Sequence, residues 1–295
     1  MPFRIAAISY LNSWPLVQSL REQEQADAAA GRPPEIDLLL DVPSRLADLL
    51  YEDAADAGLI PVIEYFRGTG VAMVPGVGIA TRGPADSVKL FTRVAPAVIG
   101  RVLVDKGSRT SVALLRILLA ELYGVRPDFH VAEPRVDELL RDEEAALVIG
   151  DRCFEAERRF RTEGDDRLQV VDLGAAWNRH TGLPFVFAVW ALGAGFASRA
   201  TDHQRDRLTG LLIAARDAGV ARLDEFAARA AHEGRPGPGG EANEAAIRRY
   251  YRQSMRYVLG EKEMAGMQRF YELCVRHAIC PAGRPPQLAA VTEGD

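Results

Sequence analysis

Over the first two thirds of the chain, short apolar runs alternate with segments whose apolar residues recur at helical spacing, the pattern of a parallel α/β architecture. Strands are expected at 4–9, 36–40, 57–60, 71–79, 97–104, 129–132, 145–149, 168–172 and 185–191. Helices are expected between them at about 14–23, 43–53, 61–66, 111–123 and 135–141. Beyond Arg199 the pattern turns to long helical stretches at 202–229, 241–259 and 260–278, expected to pack on the first domain. The piece "HEGRPGPGGEANE" between the first two reads as a surface loop, being short and flanked by helix, and the C-terminal tail is expected to be poorly ordered at its end.

Two pairs of segments share a layout without sharing a sequence repeat. "AADAGLIPVIEY" and "AALVIGDRCFEA" are small-residue strands that break at Pro or Gly and enter a helix. "ISYLNSWPL" and "DKGSRTSVALL" each run from a strand through polar residues into a helix. In open α/β sheets ligands sit beyond the carboxyl ends of strands, so all four turns are candidate binding edges, and two facing domains would put a cleft between them. The helix start "SRTS" has two readings. Ser108 can cap the first turn with its own hydroxyl, or the free N–H groups there can seat a carboxylate or phosphate.

Composition narrows the function. The 295 residues, 48% hydrophobic and 26% charged, suffice for two domains. A net charge of −5 argues against a sequence-independent grip on nucleic acid or acidic membranes, so an anionic ligand must be held by local groups. Three cysteines without C-x-x-C spacing offer neither a disulfide framework nor a zinc site, and a reducing, cytoplasmic compartment is expected. The start "MPFRIAAISYLN" enters a strand-like run at once and does not read as a secretory leader. The apolar run at 183–197 is broken by glycines and too short to span a bilayer. Walker, H-E-x-x-H and G-x-S-x-G motifs are absent, "VPGVGIATRG" lacks the third glycine of a dinucleotide loop, and the five histidines are scattered singly. No metal or organic cofactor is implied.

What remains is a set of polar residues at strand ends: Ser9, Tyr10 and Asn12, then Ser87 in "RGPADSV", then Ser108, Arg109, Thr110 and Ser111. Each alone is ordinary turn chemistry. Together they would line one cleft, with Phe185, Phe187 and Trp190 available to wall it. Asp151 of "VIGD" reads equally as a helix cap or a ligand contact, and Glu64 as a base or, more simply, a salt-bridged residue.

"ISYLNSWPL", "GLIPVIEY", "GPADSV", "SRTSVALLRILL", "LVIGD" and "DLGAAWNRHTGLPFVFAVWA" occur in an order and spacing that resembles the chorismate dehydratase family of the futalosine route to menaquinone. The likeness runs from Arg4 to Ala191. It implies a two-domain, periplasmic-binding-protein-like (type II) fold with an interdomain cleft. Residues 1–91 and 188–295 would form one domain and residues 92–187 the other, with the chain crossing near 89–96 and 183–188. It also implies loss of water from chorismate, a dicarboxylate, to give 3-[(1-carboxyvinyl)oxy]benzoate. By resemblance Asn12 and Ser87 are the catalytic candidates, set against the reacting ring and its leaving hydroxyl. Ser9, Tyr10, Ser108, Arg109, Thr110, Ser111 and Asp151 are the substrate-binding candidates. An amide and a hydroxyl are poor bases at neutral pH, so the enolpyruvyl carboxylate of the substrate is the expected proton acceptor. The rival readings are the sister enzyme 1,4-dihydroxy-6-naphthoate synthase and a small-anion receptor without catalysis.

Overall fold

In the computed structural model, which describes residues 1–105, 107–132, 144–164 and 167–289, the chain builds two sheets. The helix expected at 135–141 and the end of the tail lie outside those residues. Strands β1 (Phe3–Ile8), β2 (Ile36–Asp41) and β3 (Ala57–Pro61) run parallel, each followed by a helix: α1 (Trp14–Ala29), α2 (Pro43–Tyr51) and α3 (Val62–Arg67). A long strand, β4 (Ala72–Thr81), closes this first passage. The second sheet follows with β5 (Val88–Thr92), β6 (Arg101–Asp105), α4 (Arg109–Tyr123), β7 (Asp128–Ala132), β8 (Ala145–Ile149), α5 (Asp151–Glu163), β9 (Gln169–Asp172) and α6 (Leu173–Thr181). The chain then returns through β10 (Phe185–Leu192). It finishes with α7 (Ala194–Arg199), α8 (Asp202–Ala221), α9 (Leu223–His232), α10 (Glu244–Arg249), β11 (Arg256–Val258) and α11 (Glu261–Arg276).

The six-stranded sheet has the order β11-β4-β10-β3-β1-β2 and the five-stranded sheet β7-β6-β8-β5-β9. Each is mixed rather than purely parallel. β10 runs antiparallel to β3 and β4, and β5 antiparallel to β8 and β9, because a strand that enters one sheet from the other arrives in the reverse direction. Residues 82–87 carry the chain from the first sheet to the second, and the stretch from Leu173 to Pro184 carries it back. Positions 89–92, inside the first expected crossing, are strand. Their hydrophobic run is interrupted by Lys89, which is buried nonetheless because its Nζ meets Glu157 Oε2 at 2.8 Å.

The C-terminal stretches break where continuous helix was expected. At Arg222 (φ −113°, ψ 22°) the backbone leaves helical geometry, and its guanidinium bridges Glu22 of α1 and Glu225 of α9. After α10 the backbone widens into a π-helical turn, Tyr250–Ser254, and then becomes strand β11 on the edge of β4. The core spans both sheets and includes fully buried Trp177 and Phe185, whose rings meet edge to face at 5.2 Å. Among the described residues no helix is long and apolar enough to cross a membrane.

Candidate functional site

Strands β1, β2 and β3 of one sheet, and β6 and β8 of the other, point their carboxyl ends at a common gap, and the turns leaving them line one cavity there. Tyr10 and Asn12 follow β1, Pro43 follows β2 and Pro61 ends β3. From the facing side come Gly107 through Ser111 at the start of α4, and Ile149 and Gly150 at the end of β8. Ser87 enters from the crossing segment. Four of the five turns are those marked by their strand-to-helix layout.

The turn after β1 is fixed by Ser13, whose hydroxyl donates to the Tyr10 carbonyl at 2.8 Å. Asn12 is carried into the cavity, and its Oδ1 is buried with no hydrogen-bond partner among the described residues. Ser108 stands at the N-cap of α4 but does not cap it: its hydroxyl accepts nothing from the first turn and is likewise buried and unpartnered. Capping therefore does not explain the "SRTS" start. Buried polar atoms without partners are few in native proteins, and two on residues that line one cavity suit a place where a polar ligand completes the hydrogen bonding. The first-turn N–H groups of α4 add partial positive charge beside them. Thr110 faces the same cavity while its hydroxyl also accepts from the Ile63 N–H at 3.4 Å, tying α4 to α3.

Arg109 lines the cavity but is not a free cation. Its guanidinium reaches Asp48 at 3.0 Å and Glu64 at 3.3 Å, both on helices of the first sheet. It is a tie across the gap, and a partly exposed one whose pairs contribute about 1 kcal/mol or less each. Arg109→Gln is therefore expected to weaken binding of a ligand in this cavity about fivefold, as titration calorimetry would show; a loss of a hundredfold or more would give Arg109 a larger role than holding.

Asp151 and Ser9 do not line the cavity. The Asp151 carboxylate accepts the Leu11 N–H at 2.9 Å and pairs with Arg235 at 3.0 Å, so it binds the first turn of α5 to the opposite sheet. Burial raises its carboxyl above the ordinary aspartate range, with the Leu11 N–H and Arg235 pulling the other way. Ser9 donates its N–H to Asp41 and its carbonyl accepts from Arg235. Glu64 is buried and salt-bridged to both Arg67 and Arg109. Of the three aromatics expected as a wall, Phe187 alone lines the cavity. Register shifts in β10 around Ala188 interrupt the alternation, and Phe185 and Trp190 are buried in the core.

Several supports carried no sequence signal. The Asp172 carboxylate accepts three N–H groups, from Ala85, Asp86 and Ala175, and so clasps the turn that presents Ser87. Asp86 in that turn is held at φ 58°, a conformation Asp tolerates better than most residues, with Ser254 donating to its carboxylate. Met255 lines the cavity directly, and Tyr250 sits behind Ser87 with 2.8 Å between the two hydroxyl oxygens.

Tyr10 packs on Gly150 across the gap. Burial, reinforced by the negative charge of Asp105, pushes its phenol up to about 12, so it meets a ligand as a neutral hydroxyl. The unfolded chain releases that proton near pH 10. The folded chain binds more protons between pH 10 and 12, so Tyr10's contribution to stability is intact below pH 10 and is lost as pH rises toward 12. Tyr10→Phe is expected to recover roughly 1–2 kcal/mol of that alkaline loss, read from unfolding curves of both proteins at pH 9 and 11.5.

A family model described as menaquinone biosynthesis matches residues 3–276. A chorismate dehydratase of Thermus thermophilus is 32% identical over 244 residues, 78% of this chain and 84% of that protein. Among solved structures, a protein of Archaeoglobus fulgidus superposes with a TM-score of 0.67 at 15% identity, covering 94% of this chain and 98% of its own. The alkanesulfonate-binding protein of Xanthomonas axonopodis pv. citri gives 0.64 at 14% identity, covering 95% and 94%. A Candida albicans protein described as having the generic periplasmic-binding-protein fold gives 0.63 at 11%, covering 99% of both chains. Those three likenesses establish the fold.

Proposed function

Given that this chain belongs to the menaquinone-biosynthesis family, we propose that it is a chorismate dehydratase, a carbon–oxygen lyase of the cytoplasm that converts chorismate to 3-[(1-carboxyvinyl)oxy]benzoate and water. The observation that carries the reading is the pair of buried, unpartnered oxygens, Asn12 Oδ1 and Ser108 Oγ, on residues that line one cavity from the turns after β1 and β6. A substrate with two carboxylates and a hydroxyl supplies partners to both sides.

One carboxylate sits at the first turn of α4, among the N–H groups and the hydroxyls of Ser108, Thr110 and Ser111, where helix polarity favours an anion. The ring lies between this turn and Tyr10, with Phe187 providing an apolar face. Asn12 and Ser87 flank the reacting carbons. In the reaction the C–H bond at the ether-bearing ring carbon and the neighbouring C–O bond break, and the electron pair from the first completes the aromatic ring. The proton goes to the substrate's own enolpyruvyl carboxylate and the hydroxyl leaves as hydroxide, and the two together make up one water. A carboxylate held beside the proton it removes needs no protein base, since fixed geometry lowers such a barrier by several kcal/mol. Asn12 and Ser87 hold this geometry and donate to charge as it develops on the leaving oxygen.

Incubation of purified protein with chorismate, followed by ultraviolet spectroscopy and mass analysis, is expected to show substrate loss with an aromatic product lighter by one water. Chorismate left unchanged overturns the reading. Tight binding without product would make the protein a receptor for small anions instead.

A further inference from the structure

The Ser87 hydroxyl has a neighbour that the reaction as derived does not use. Tyr250 begins the π-helical turn, a widening of the helix that often marks a functional site. That turn touches the chain beside both reacting residues. The Tyr251 hydroxyl donates to the Leu11 carbonyl at 3.1 Å, next to Asn12, and the Ser254 hydroxyl donates to Asp86, next to Ser87. The Tyr250 hydroxyl lies 2.8 Å from Ser87 Oγ, and both residues are 1% exposed.

The directions of these hydrogen bonds follow from counting donors. A buried phenol needs an acceptor for its single hydrogen, and Ser87 Oγ is the one in reach among the described residues. Tyr250 therefore donates to Ser87, so the serine's own hydrogen must point elsewhere. The Ala85 carbonyl at 3.3 Å is its remaining acceptor among the described residues, at the long end for a hydroxyl donor. We propose that Tyr250 is a positioning residue for the dehydration: by occupying one side of Ser87 Oγ it turns the serine O–H toward the cavity, where it donates a hydrogen bond to the departing hydroxyl of the substrate and keeps its proton. Burial raises the phenol's pKa well above its ordinary value, which keeps Tyr250 a donor throughout the working pH range. It gives up no proton in the reaction and touches no substrate atom. This inference rests on the reading of Ser87 as the group that meets the leaving hydroxyl.

Tyr250→Phe removes one oxygen and keeps the ring that packs edge to face on Phe154 at 5.2 Å, so the fold is retained. The test measures kcat and KM for chorismate in wild type, Y250F, S87A and the double variant. Y250F is expected to lower kcat about tenfold with KM within twofold, and the same change in the S87A background to lower kcat less than twofold, because there is no longer a hydroxyl to aim. A merely structural role would cost the same factor in both backgrounds, and that result overturns the proposal, as does wild-type kcat in Y250F. Wild-type protein that leaves chorismate intact overturns the functional reading itself, whereas active wild type with an insensitive Y250F overturns the assignment of Tyr250 alone.

Discussion

Asn12→Ala is expected to lower kcat for chorismate by roughly 10²–10³-fold, the loss typical of deleting one preorganised hydrogen-bond donor at a developing oxyanion, while the melting temperature holds or rises. The two halves of this expectation have one cause. Asn12 Oδ1 is buried without a partner, and a buried polar atom left unmade costs about 1–3 kcal/mol. The folded protein alone gains nothing from that amide oxygen, so removing it relieves a penalty even as the contact to substrate is lost. Ser87→Ala is expected to cost a similar factor in kcat but to behave oppositely in stability, since it strands the Tyr250 hydroxyl without its acceptor. Parallel kinetics and thermal unfolding of the two variants check both halves. Full turnover in both would remove Asn12 and Ser87 from the reaction, and a clear loss of stability in Asn12→Ala would mean that its amide serves the fold.

The second large effect concerns Gly150, the residue joining β8 to α5. Its backbone has φ +64° and ψ −152°, a region that essentially glycine alone occupies, and a Cβ placed there would stand 2.9 Å from Tyr10 Cδ2 and 3.0 Å from Cε2. Gly150→Ala thus combines backbone strain of about 1–3 kcal/mol with overpacking of similar size. The expected outcome is a melting temperature lower by roughly 5–10 °C and a KM raised more than tenfold, because the displaced ring is part of the cavity wall. Pairing the change with Tyr10→Ala separates the two causes. The double variant has room for the methyl and keeps only the backbone strain, so adding Gly150→Ala to it should cost about half as much stability as in wild type. An unchanged KM and melting temperature in Gly150→Ala would mean that Tyr10 moves aside freely and takes no part in shaping the site.

The positions of Tyr10, Asn12, Ser87 and residues 108–111 on one cavity could be foreseen because parallel strands deliver their carboxyl ends to a common edge, and a change from apolar run to polar turn marks that edge in the sequence. Ser108 shows where such reading stops. A serine before a helix has the same signature whether its hydroxyl caps the helix or faces a ligand, and only the missing bond in three dimensions tells them apart. Asp151 looked like a cap or a contact, yet its partners, Leu11 and Arg235, are remote in the chain and no local spacing reveals them. Strand β5 was hidden by Lys89, a charge that is buried because it is paired. The π-helical turn has no compositional mark at all. Tyr250 opens that turn and Met255 follows it, so the one reaches Ser87 and the other the cavity where the expected helix of 241–259 gives way.

Strand β10 has a consequence for how the molecule is made. It lies between β3 and β4, yet both of those strands emerge from the ribosome before the whole second sheet, and β10 only after it. Until then the facing edges of β3 and β4 carry unsatisfied backbone groups and apolar side chains, the kind of surface that recruits other chains. Assembly of this sheet must wait for distant residues, which slows folding because the long loop has to close before the contacts that reward it form. A nascent chain cut short before Phe185 would be left with β3 open on one edge and β4 on both.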